Sequence, residues 1–217
     1  MLLQKLQQQL QGIYAVDVAH SVADYLITDP ELAALLSGDE PADARPERLL
    51  VREQDDWLEL SLYLSREIID HLEQRDPTHC LDESNLNEFC IALEGISHFV
   101  YLSWNAGYDR TVSLLELELQ AEIDKYIAAV TLLDQQRGRG AHRHLHQRLF
   151  KAVSFAPELN DAEKQRYRLA NNYADRYCQH LQNRFLHPRR GERMIRELRH
   201  FYRLPRQDKM YRIASAR

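Results

Sequence analysis

Between Phe89 and Trp104 the chain reads FCIALEGISHFVYLSW, apolar on nearly every side and interrupted by Glu94, Ser97 and His98. A helix that is apolar all round belongs in the middle of a core. Glu94 and His98 are four residues apart and so share one helical face. A carboxylate in that setting must be paired, neutralised or bound to a metal. Gly95, beside it, lets a neighbouring element approach closely.

A second helix follows the turn Asn105-Ala106-Gly107-Tyr108-Asp109. Ser113 with Glu116 makes a capping box, which predicts a helix over about 114–135. A short turn makes helices 85–104 and 114–135 an antiparallel hairpin, with Glu94 and His98 opposite the span from Glu116 to Asp124. On the second helix Leu115, Leu119, Glu122, Tyr126, Ala129 and Leu133 follow helical spacing. Glu122 therefore lies in the apolar stripe, with Glu118 one turn before it. Two carboxylates at this spacing repel. The offsetting charge is Lys125, an arginine from the basic C-terminal arm, or a metal ion.

Glu94, His98, Glu118 and Glu122 are thus the candidate catalytic residues. A metal would use Glu94, His98 and Glu122. Carboxylate-rich bundles that hold two metals use Glu-x-x-His, whereas this chain has Glu-x-x-x-His, at Glu94/His98 and again at Glu67/His71. That spacing aims the side chains differently, so the sequence assigns no metal and no cofactor. A buried Glu–His hydrogen bond and a metal-free polar pocket are the competing readings.

Before this region the period changes. Leu58, Leu60, Leu62 and Leu64 alternate with Glu59, Ser61, Tyr63 and Ser65, the pattern of a half-buried strand. With Leu49–Glu53 it forms a β-hairpin near 48–64, whose Leu60 and Leu62 face helices while Glu59 and Tyr63 face out. A hairpin alone is marginal in water, so it needs helices or a third strand. The first 37 residues read as helical pieces: a Gln-rich turn, a segment over 17–28, and Pro30–Leu36 capped by Asp29. Ser65 caps a helix to about Gln74; later helices are expected over about 142–153, 162–186 and 191–204.

Charge is unevenly placed. The chain carries a net −5, but residues 180–217 hold eleven Lys and Arg against three Asp and Glu, a net +8 that leaves −13 on residues 1–179. A basic arm of this kind seeks an acidic partner, a nucleic acid or its own body. Its apolar positions Met194, Ile195, Leu198, Phe201 and Tyr202 recur at helical spacing and predict docking through that stripe. Arg189, Arg190, Arg193, Arg196, Arg199 and Arg203 are then the candidate partner-binding residues. Tyr167, Tyr173 and Tyr177 among arginines offer a stacking platform for single-stranded nucleic acid, as a solvated core stripe would also look. Arg137-Gly138-Arg139-Gly140, followed by His142, His144 and His146, reads as a solvated basic connector or as an anion contact. Nucleotide-loop, serine-hydrolase and zincin motifs are absent.

The start, MLLQKLQQQLQ, is too polar for a signal peptide, no apolar run is long enough to span a membrane, and three scattered cysteines suit a reducing compartment. These features predict a cytoplasmic, mainly α (α+β) protein. Residues 1–187 are expected to form one helical domain with a central buried helical hairpin and a small β-hairpin, and residues 188–217 a basic C-terminal helix or arm. The expected function is a non-enzymatic interaction or regulatory module that contacts an acidic protein partner. A metal- or carboxylate-dependent enzyme centred on the Glu/His cluster is the alternative, and a nucleic-acid binder the third.

Overall fold

The structure, a computed structural model, describes residues 1–38, 45–54, 57–138, 140, 144–152, 159–185 and 191–215. They are mainly helical with one small sheet, as the patterning predicts. The chain forms two compact units, one of residues 1–10 and 17–111, the other of 11–16 and 112–217. The two helices of the expected helical hairpin fall one in each unit.

In the first unit, α1 (Leu2–Tyr14) buries Leu3, Leu6 and Leu10 on one face. The Gln7 amide ties down the chain that follows: Nε2 donates to His20 O (2.7 Å) and Oε1 accepts from Val22 N (2.8 Å). Segment 17–28, expected as helix, is instead a loop with a 3-10 turn at Val22–Tyr25 and the strand β1 (Leu26–Ile27). Its valines, Ser21 and Thr28 have weak helix propensity, and β1 supplies the third strand that the hairpin needs. Asp29 caps α2 (Pro30–Ser37) by accepting from Glu31 N and Leu32 N, and Gly38, at φ 72°, ends it.

β2 (Glu47–Gln54) and β3 (Trp57–Leu64) pair antiparallel from Glu47↔Leu64 to Gln54↔Trp57, and β1 adds in parallel beside Leu62 and Tyr63. The expected alternation holds towards the tip, where Trp57 and Glu59 are exposed. At the base Leu62, Tyr63 and Leu64 are all buried. Tyr63, expected to face water, is covered by its cross-strand neighbour Arg48, whose guanidinium lies 5.3 Å from the ring centroid. β1 extends the sheet beside Leu62 and Tyr63, and α2 packs against β1 and β2.

Ser65 caps α3 (Arg66–Gln74), and buried Asn85 orders the loop before α4 (Leu86–Ala106) by donating to Arg75 O and Cys80 O. The apolar helix α4 lies on the sheet. A Cβ at Gly95 would stand 2.5 Å from Leu62 Cδ1 and 2.8 Å from Glu47 Oε1, so any larger residue here requires those two side chains to shift.

In the second unit α5 (Leu114–Arg137) packs mainly along α7 (Asp161–Phe185). The Ser113/Glu116 capping box is present. The short α6 (Leu145–Lys151) is held to α7 by Asp175, which meets His146 Nε2 (3.3 Å) and Lys151 Nζ, and by Asn171 Nδ2 donating to Phe150 O (3.2 Å). In α8 (Gly191–Arg203), Met194, Leu198, Phe201 and Tyr202 are buried and Ile195 half-buried, the stripe that the spacing predicts. After Pro205 comes a helix absent from the sequence-based expectation, α9 (Arg206–Ser215). It turns only Lys209 and Ile213 fully inward, and a stripe containing a lysine gives no apolar signal. No described helix is long and apolar enough to cross a membrane.

Candidate functional site

The second unit closes around Lys209. Its side chain is fully buried, with Nζ 3.3 Å from Gln120 Oε1 and 5.2 and 5.9 Å from the ring centroids of Phe201 and Tyr202. Gln120 Nε2 donates to Asp124 Oδ1 (2.8 Å) and to Tyr14 OH (3.2 Å), while Tyr14 OH donates to Asp124. Tyr14 stacks on Tyr202 at 4.1 Å and Tyr177 on Phe201 at 4.0 Å. Lysine, amide, carboxylate and phenol therefore link α9, α5 and the end of α1.

Burial lowers the Lys209 pKa to about 7, against the opposing pull of Glu116 and Asp124. Burial, and then Asp124, push the Tyr14 phenol well above its usual range. Lys209, Gln120, Asp124 and Tyr14 are each at most 1% exposed, so the cluster is closed to a substrate in this state. Its chemistry is structural: a polar network in a low-dielectric setting specifies one packing. The sequence alone does not single it out, because its members are spread over almost the whole chain.

The arginines of α8 divide between two tasks. Arg199 Nε and Nη2 donate to Ile13 O (3.0 Å) and Gly12 O (3.1 Å), and Arg203 Nη1 and Nη2 to Tyr14 O (2.9 Å) and Ala15 O (2.8 Å). These are the carbonyls that a helix C-terminus leaves without intrahelical partners, here at the end of α1, where Ala15 sits at φ 49°. The structure thus uses Arg199 and Arg203, expected to meet a partner, within the second unit. Arg193 and Arg196 are exposed, and neither side chain bonds a described residue. Arg189 and Arg190 lie outside the described residues.

Glu94 and His98 belong to the first unit, Glu118 and Glu122 to the second. His98 Nδ1 lies 3.7 Å from Glu47 Oε1, so β2 supplies a carboxylate to this buried imidazole. Glu47 lies just before the strand that the sequence pattern predicts, and nothing in that pattern marks it. In the other pair, His71 turns away from Glu67 to Ser84 O (2.7 Å) and Glu88 (3.8 Å). In the second unit Lys125 bonds Glu122 at 2.8 Å, and Arg166 of α7 lies 3.6 Å from Glu118. The repulsion between the two carboxylates is met by two separate cations, one of them unforeseen.

The tyrosine series does not form an open platform, since Tyr177 is core and Tyr167 and Tyr173 are half-buried. His146 is committed to Asp175; Arg139 and His142 lie outside the described residues. Comparison with protein-family models, curated proteins and solved structures finds no match to this chain.

Proposed function

We propose that the protein is a non-enzymatic interaction or regulatory module that holds a protein partner with an acidic surface on the solvent face of α8. The observation that carries this reading is the two-sidedness of α8. Its inner stripe is locked by the stacked pairs Tyr14–Tyr202 and Tyr177–Phe201. Arg193, Arg196 and His200, at helical spacing i, i+3 and i+7, are exposed on the other side. Arg206, at the start of α9, is exposed as well. Charges held on a fixed helix are pre-organised for a complementary surface, where they raise the association rate and select the partner by sign.

The test is affinity capture with the full chain and its Arg193→Glu/Arg196→Glu variant. The reading expects an acidic protein that is retained by the first, eluted by salt, and lost with the variant. Retention of the same proteins by both chains, or recovery of nucleic acid alone, would overturn it.

A further inference from the structure

The C-terminal parts of α7 and α9 and the middle of α8 border a recess of about 90 Å³ in the second unit, lined by Tyr177, His180, Arg184, Glu197, Arg212 and Ser215. That is room for several waters and on the scale of one tetrahedral oxyanion. Among the described lining residues the carboxylate is that of Glu197, and it is already engaged. Glu197 accepts from Arg212 through Nε (2.9 Å) and Nη2, and Tyr177 OH lies 3.5 Å from its Oε1. This fork holds the Arg212 guanidinium by one edge. A guanidinium has five N–H donors; the fork uses two, and no described residue accepts from the other three.

His180 and Arg184, one turn apart on α7, line the recess, and neither ring nitrogen of His180 bonds a described residue. Arg184 stands over the Phe185 ring (5.5 Å) and His180 meets the same ring edge-on (6.3 Å), so Phe185 bears on both. The Ser215 hydroxyl donates to the last carbonyls of α9, and its oxygen can still accept. Among the described lining residues, the guanidiniums of Arg184 and Arg212 and the Glu197 carboxylate surround the concavity.

We propose that this recess is an oxyanion site that takes a phosphate group, either as inorganic phosphate or as the head of a phosphomonoester. Arg212, oriented by Glu197, and Arg184 supply charge-assisted donors of the kind that suits phosphate, and His180 completes the wall.

The experiment is an amide-resolved NMR titration of the full chain with inorganic phosphate, with phosphoserine, and with chloride at matched ionic strength. The proposal expects saturable shifts at the ends of α7 and α9 with phosphate, phosphoserine or both, and not with chloride. The stronger of the two ligands identifies the source. His180→Gln/Arg184→Gln, which leaves the Glu197–Arg212 fork in place, should weaken binding about tenfold or more, with the unperturbed spectrum showing that the fold is kept. Equal response to chloride, unchanged affinity in the His180/Arg184 variant, or an adventitious ion only, with shifts scattered over basic surface residues, would overturn the proposal.

Discussion

Replacing Lys209 by Met keeps an unbranched chain of similar length in the space between Phe201 and Tyr202 and removes the titrating amine. Lys209 has a pKa of about 7 in the folded chain against 10.5 when solvated. Above pH 7 the unfolded state therefore binds more protons than the folded one, and stability rises with pH. The contribution is complete above about pH 10.5 and is lost as pH falls through 7. It amounts to about 5 kcal/mol in all, since each pH unit between the two pKa values is worth about 1.4 kcal/mol. Between pH 7 and 9 the wild type should gain about 2 kcal/mol relative to Lys209→Met. The raised Tyr14 pKa acts with the opposite sign, but only above about pH 10, where an unfolded phenol ionises. Trp57 and Trp104 both lie in the first unit, so denaturation is followed by far-UV dichroism or by hydrogen exchange in α5 and α9. Stability curves that run parallel for the two proteins from pH 7 to 9 would refute the account of Lys209 as a buried, largely desolvated amine.

Other expectations follow from individual contacts. Gly95→Ala places a methyl group into Leu62 and Glu47 and should cost about 1–3 kcal/mol, read as a lowered Trp-fluorescence transition; an unchanged midpoint would mean that α4 does not approach the sheet so closely. Tyr14→Phe removes the hydroxyl that donates to Asp124 and should destabilise by about 1–3 kcal/mol, whereas a neutral result in denaturation would place Asp124 in contact with water. Arg203→Met takes two donors from the end of α1 and should cost about 1–3 kcal/mol; hydrogen exchange at Ile13 to Val16 should accelerate, and unchanged protection there would contradict the capping role.

What the sequence made legible is what repeats locally. The period of two in Leu58–Leu64, the Ser113/Glu116 box, the Asp29 cap and the apolar stripe of α8 each depend on residues within one or two turns of each other, and each is found, except that the alternation stops at buried Tyr63. Polar partnerships across the chain were not legible. Nothing near His98 in sequence points to Glu47, nothing near Glu118 points to Arg166, and Tyr14, Gln120, Asp124 and Lys209 meet only after folding. The same limit explains the arginines of α8. Composition counts eleven basic residues in the last 38, but it cannot tell Arg203, which caps α1, from Arg196, which faces water.

The central claim, that the solvent face of α8 is an acidic-partner surface, is tested most directly by fluorescence anisotropy of a labelled poly-glutamate peptide and a single-stranded oligonucleotide, each titrated with the full chain across a salt series. The peptide is expected to bind, with an affinity that falls steeply as the Debye length shrinks from about 30 Å at 0.01 M to about 8 Å at 0.15 M, and Arg193→Glu/Arg196→Glu is expected to abolish binding while Arg168→Glu/Arg176→Glu on α7 does not. Binding that survives reversal of Arg193 and Arg196, or that favours the oligonucleotide, would contradict it.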